Sequence, residues 1–124
     1  MTVQRQRLGR TAEDLVAERL AASGWTLLAR NARSRHGELD IVALDGRALV
    51  FVEVKAGRAG SAFGPVRPVL AVDRRKQQQV RRLATAWMRE RRDLPFYAEI
   101  RFDAVGVSFD RDGRATVEHI EGAF

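Results

Sequence analysis

The chain has 124 residues, 45% of them hydrophobic and 31% charged, a balance that suits one soluble globular domain able to bury its own core. It contains no cysteine, which excludes a disulfide framework and a cysteine-based zinc centre and suits a reducing, cytoplasmic setting. The net charge of +6 favours a polyanionic partner, nucleic acid or an anionic surface; no stretch has the length of a membrane span, and the polar start of the chain lacks the apolar core of a signal peptide.

Twenty of the 22 basic residues are arginine, and lysine occurs only at Lys55 and Lys76. Against that background a lysine raises the question of what a compact ammonium does there that a wide guanidinium cannot. Residues 1–124 read as a single domain without repeats or linkers. A helix is predicted over 11–23, with Leu15, Val16 and Leu20 as its apolar stripe and Ala12 beside it. Thr11 would cap it, Asp14 would complete a capping box, and Gly24 would stop it. A strand follows over 25–30, then a basic loop over 31–37.

Residues 38–44 and 48–55 read as two strands joined by Asp45-Gly46, a strong two-residue hairpin signal. The second of them, rich in valine and phenylalanine, reads as the centre of a sheet. Residues 56–68 hold three glycines and two prolines and read as a mobile functional loop. A long amphipathic helix is predicted over 72–92, apolar at Val80, Leu83, Ala84, Trp87 and Met88 and arginine-rich elsewhere, with Pro95 closing it. Strands over 97–109 and 115–120 flank an Asp112-Gly113 turn. The order α-β-β-β-α-β-β predicts an α/β fold, one mixed five-stranded sheet flanked by helices.

Chemistry concentrates on the hairpin. Glu38 and Asp40 share one face of their strand, and Glu53 and Lys55 one face of theirs. With Asp45-Gly46 as the turn, Leu44 pairs with Arg47, Asp40 lies opposite Phe51, Glu38 lies opposite Glu53, and Asp40 and Glu53 become diagonal neighbours. Carboxylates so gathered repel unless a proton or cation sits between them, and Mg²⁺ or Mn²⁺ prefers oxygen donors of this kind. Lys55, one pleat beyond, is placed to orient a water or neutralise a phosphate. The alternative is a salt-bridged strand edge, but Val50, Val52 and Val54 on the opposite face make the strand too apolar for one. His36 is left without a role, and Trp25 and Trp87 are expected in the core.

The run Gly37-Glu38-Leu39-Asp40-Ile41-Val42, followed by Leu49-Val50-Phe51-Val52-Glu53-Val54-Lys55, resembles the core of the PD-(D/E)xK nuclease superfamily. The likeness is to its Holliday-junction-resolvase-like branch and, within that, the small bacterial YraN-like family. It extends over nearly the whole chain, through Ala12-Glu13, Arg30-Asn31, Lys76, Arg101-Phe102-Asp103 and the segment from His119 to Phe124. The resemblance implies a restriction-endonuclease-like fold and a metal-dependent endonuclease that hydrolyses phosphodiester bonds of DNA, branched or structured DNA included. It implies Mg²⁺ or Mn²⁺ held by Asp40, Glu53 and the Val54 backbone carbonyl, Lys55 as catalytic lysine, Glu13 completing the acidic site, and a homodimer. For Glu38 two roles stay open, a supporting acid behind the ligands or a residue that shapes the turn. Two positions depart from the pattern: Ala12 stands where glycine is usual, and the arginine expected two residues after Lys55 is replaced by Gly57, with Arg58 next.

Arg33, Arg35, Arg58, Arg67, Arg74, Arg75 and Lys76 flank this centre in sequence and are candidate phosphate contacts without an evident base-reading code. Two other readings stand beside the nuclease: a catalytically silent nucleic-acid-binding module of the same fold, and a basic scaffold or dimerisation protein whose helix meets an acidic partner.

Overall fold

The computed structural model describes residues 3–58 and 67–124. Its elements are α1 (Val3–Ala22), β1 (Thr26–Ser34), β2 (Gly37–Asp45), β3 (Ala48–Arg58), a 3-10 turn (Pro68–Ala71), α2 (Arg74–Arg89), β4 (Glu99–Phe109) and β5 (Ala115–Ile120). The strands lie in chain order, β1-β2-β3-β4-β5. All neighbours are antiparallel except β3 and β4, which run parallel and are joined through the turn and α2. This is the restriction-endonuclease-like α/β arrangement, with the expected element order. Among the described residues no helix is long and apolar enough to cross a membrane.

The two helices cover opposite faces. α1 buries Ala12, Val16, Ala17 and Leu20 against Ile41, Ala43, Val50, Val52 and Val54. α2 buries Val80, Leu83, Ala84 and Trp87 against Leu39, Val42, Leu49 and Phe51. β3 is therefore buried on both faces from Ala48 to Val54, which is why its sequence is almost continuously apolar. Phe51 stacks on Phe102 at 5.5 Å and meets the edge of Trp87 at 5.9 Å, so Trp87 is core as expected, while Trp25 is only partly buried.

Several boundaries differ from the sequence reading. α1 begins well before Thr11: its hydroxyl is no cap but donates back to the Arg7 carbonyl at 2.9 Å, a bond typical of helix interiors. Asp14 pairs with Arg30 at 2.7 Å instead of capping. The expected loop over 31–37 is largely strand, because β2 continues to pair with β1 as far as Ser34–Gly37 and the ladder overrides polar composition. Ala56 to Arg58 likewise stay in β3, held by pairing with β4 up to Arg58–Phe109. Of the predicted loop over 56–68, residues 59–66 lie outside the described residues.

The hairpin register also changes. Asp45 pairs with Ala48 and Val42 with Phe51, so the two-residue loop is Gly46-Arg47, with Gly46 at φ 58°. Asp45 is kept in the strand by its carboxylate, which accepts from Arg101 Nη2 at 3.0 Å. The slip relative to the sequence reading is two residues, and an even slip leaves every side chain on its expected face. α2 starts at Arg74, capped by Asp73, whose side chain accepts from the Lys76 N–H at 2.9 Å. It ends at Arg89, earlier than predicted.

The 3-10 turn leading into α2 sits directly on β4. A Cβ at Gly106 would lie 2.6 Å from the Val69 backbone nitrogen, so only glycine admits the turn there. Gly106→Ala is expected to lower unfolding stability by about 1–3 kcal/mol in urea titrations; an unchanged midpoint would show that the turn is free to move away.

Candidate active site

β2 and β3 diverge beyond Ile41–Val52. Among the described residues their ladder stops there, while β2 continues against β1 and β3 against β4. Asp40 and Glu53 are the first residues past this fork, one on each arm. Val52 and Val54 point into the core under α1, so Glu53 between them projects to the α2 side, where it is 2% exposed. Asp40 Oδ2 accepts a hydrogen bond from the Val54 N–H at 2.8 Å, which ties the two arms together. The contact seen at Val54 is thus through its N–H, beside the carbonyl that the resemblance singles out.

Both lysines of the chain reach Glu53. Lys55 Nζ lies 3.6 Å and Lys76 Nζ 3.4 Å from Glu53 Oε1. Lys55 arrives from the same strand, one pleat on. Lys76 arrives from the first turn of α2, so it faces the acidic centre instead of lying on the solvated side of the helix.

Two more carboxylates complete the cluster. Glu13 follows the fully buried Ala12 on α1 and comes to the rim of the sheet. One carboxylate oxygen each of Glu13, Glu38 and Asp40 lie within 4.8 Å of one another. Glu38 accepts from Arg33 Nε at 3.1 Å. The Asn31 amide nitrogen, oriented as these acids require, donates to Glu13 Oε2 at 2.8 Å and to Glu38 Oε1 at 2.7 Å. Asn31 has φ 51° and is the one non-glycine residue with positive φ among the described residues, a conformation asparagine tolerates better than most. Sequence reasoning placed Asn31 in the family-like motif without a role; the available signal was an asparagine at a strand interruption just before the acidic run.

The electrostatics follow from burial and crowding. Glu53 is pushed up to about 7, first by desolvation and then by Asp40, against the pull of Lys76 and Lys55. Glu13 is also pushed up to about 7, by desolvation, then by Asp40 and Glu38. Asp40 is raised by desolvation despite the Val54 N–H and the two lysines. The cluster therefore retains protons near neutral pH, the state expected of acids that lack a full counter-charge.

The arginines divide. Arg33 is engaged by Glu38, and Arg67 by Glu118 on β5, away from the cluster. Arg35, Arg58, Arg74 and Arg75 are exposed, Arg35 in the turn between β1 and β2 and Arg74 and Arg75 beside Lys76. His36 lies in that same turn, where its carbonyl accepts from Gln79 at 3.2 Å.

A second acidic centre was not foreseen. Asp103 on β4 is fully buried and accepts from Arg101 Nε at 2.9 Å and the Gly122 N–H at 3.0 Å, with His119 Nε2 at 2.8 Å. Burial alone would raise its carboxyl, but the bonds from His119, Arg101 and Gly122 hold it below its ordinary value.

A model of the family described as "Uncharacterised protein family UPF0102" matches residues 12–107. Similar full-length relatives include a UPF0102 protein of Parafrankia sp. (strain EAN1pec), 49% identical over 96% of this chain and 97% of its own. Others come from Acidothermus cellulolyticus, 42% identical over 97% and 95%, and Frankia alni, 46% identical over 94% and 93%.

Because Glu13 and Glu53 titrate near 7 in the folded chain and near 4.5 when unfolded, the folded state binds more protons between those values. Stability of the metal-free protein then falls as pH rises through that window. Melting in EDTA is expected to give a higher Tm at pH 5.5 than at pH 8, with a shallower slope in Glu53→Gln. A Tm that climbs steadily to pH 8 in the wild type would contradict the raised carboxyls.

Proposed function

The chain belongs to the UPF0102 family, and we propose that it is a metal-dependent phosphodiester hydrolase acting on DNA. The observation that carries this reading is the gathering of Glu13, Glu38 and Asp40, with carboxylate oxygens within 4.8 Å of one another, where Asp40 also adjoins the buried, lysine-flanked Glu53.

The donor set fits a hard divalent cation. Oxygen ligands are what Mg²⁺ and Mn²⁺ select, and acids raised by desolvation and mutual repulsion are those a cation would relieve. Asp40, Glu13 and Glu53 would hold it, with the Val54 carbonyl beside them. Glu38, engaged by Arg33, would anchor the Asn31 amide that also donates to Glu13. When bound, the ion supplies Lewis acidity toward the scissile phosphate and its bound water.

The remaining work falls to the chain's own residues. Lys55 is one-third exposed at the cluster, so its ammonium can hold the attacking water or balance charge gathering on the phosphate oxygens. Water adds to phosphorus, the bond to the departing sugar oxygen breaks, and a water proton ends on that oxygen as its hydroxyl. Glu53, between Lys55 and Lys76, fixes the direction of both ammonium groups. Arg35, Arg58, Arg74 and Arg75 are exposed and flank this centre in sequence, which favours contacts to a phosphate backbone over a sequence code.

A second reading is a binding module without turnover. It draws on the same ion pairs: two lysines on one carboxylate partly compensate the acids internally, which a silent site would also need.

Lys55→Ala is expected to reduce cleavage about 10²–10³-fold while retaining DNA binding. Asp40→Asn and Glu53→Gln should abolish cleavage and keep the fold. The assay is a panel of plain duplex, single-stranded, flap and four-way-junction DNA with Mg²⁺, Mn²⁺ or EDTA. Wild-type rates in both carboxylate variants would remove the site assignment, and metal-independent binding without cutting would favour the silent module.

A further inference from the structure

The outer face of α2 carries a charge pattern that the cluster does not use. Arg75, Arg82 and Arg89 recur every seventh residue, and all three are exposed. On a helix that spacing drifts by only about 20° per step, so the three form one ridge. The buried residues Val80, Leu83, Ala84 and Trp87 lie on the opposite side. The helix contains no acidic residue, and among the described residues none of the three arginines has an ion-pair partner. Arg81, by contrast, lies over the Phe102 ring at 4.6 Å and turns toward β4.

We propose that this ridge is a docking surface for double-stranded nucleic acid, which Arg75, Arg82 and Arg89 hold by its phosphate backbone. The ridge begins one residue from Lys76, which touches Glu53, so it leads away from the carboxylate cluster along the helix axis. From Arg75 to Arg89 it spans about 21 Å at ~1.5 Å per residue, roughly six base-pair steps of a duplex. A straight, rigid row of forked cations matches a regular phosphate array.

The ridge offers no platform for splayed bases. Large hydrophobic side chains exposed among the described residues are Leu70, Phe96 and Ile100, none of them on α2, and Trp87 is buried. Single-stranded chains are gripped by stacking on aromatics; a duplex needs only its backbone contacted. The inference rests on the proposed hydrolase only for which segment of the bound duplex meets the cluster.

The test is fluorescence anisotropy with a labelled 20-base-pair duplex and its separate strand, in EDTA, across a range of salt. The variants are R82Q/R89Q and, as an equal charge change at the turn between β4 and β5, R111Q/R114Q. Arg and Gln have similar helix propensity, and circular dichroism checks that α2 persists. The ridge variant should bind duplex about 10-fold more weakly near 0.15 M salt, with a slope of log affinity against log salt reduced by roughly 1.8, about 0.9 per lost contact. The control pair should change little. Equal losses in both variants, single strands bound as tightly as duplex, or wild-type binding by the ridge variant would each overturn the proposal. Duplex binding by the wild type that the ridge variant loses, with no cleavage under any metal condition, would refute the hydrolase and support the ridge.

Discussion

Glu53 is 2% exposed in the middle of β3, the most buried strand, and its carboxyl is raised by burial and by the neighbouring Asp40. Moving ionised carboxylates out of water is costly unless something compensates them, and the surroundings of this pair are organised around that cost. The fork between β2 and β3 gives the acids room. The Val54 N–H goes to Asp40. Lys55 and Lys76 both turn to Glu53. Asn31 adopts a left-handed backbone that lets its amide bridge Glu13 and Glu38. Even so, Glu13, Asp40 and Glu53 all stay raised, so the compensation is incomplete. We propose that a bound cation completes that compensation.

Asp103 provides the comparison inside the same molecule. It is fully buried, yet Arg101, His119 and the Gly122 N–H satisfy it and its carboxyl is lowered. The Gly122 contact, together with the Ala123 N–H bonded to the Phe102 carbonyl at 2.8 Å, ties the end of the chain to β4. One buried acid is therefore satisfied within the scaffold, and the others keep raised carboxyls, the state on which the proposed cation site rests. Burial alone would not have separated them; the sign of the pKa displacement does.

Much of this was legible in the sequence. The valine-rich run of β3 announced a strand buried on both faces, and the alternation of Glu53 and Lys55 within it placed both on one side. The even register slip at Gly46-Arg47 did no harm to that assignment, because the period of a strand is two. What escaped was set by tertiary contact. Polar residues from Asn31 to Ser34 read as loop, since only the ladder to β2 makes them strand. Lys76 read as a candidate phosphate contact, and only the packing of α2 on the sheet brings it to Glu53. Asn31 could not be given a role without knowing that α1 and β2 bring Glu13 and Glu38 to either side of its amide, and the pairing of Arg67 with Glu118 on β5 could not be read from the sequence.

The central claim is that the carboxylates at the fork take up a divalent cation in place of protons. Isothermal titration calorimetry of Mn²⁺ into the metal-free protein at pH 7, repeated in buffers of different ionisation enthalpy, measures both binding and the protons displaced. The account predicts one cation bound per chain with about one proton released, and loss of both in Asp40→Asn. Absence of binding, or binding that releases no proton and survives in Asp40→Asn, would contradict it.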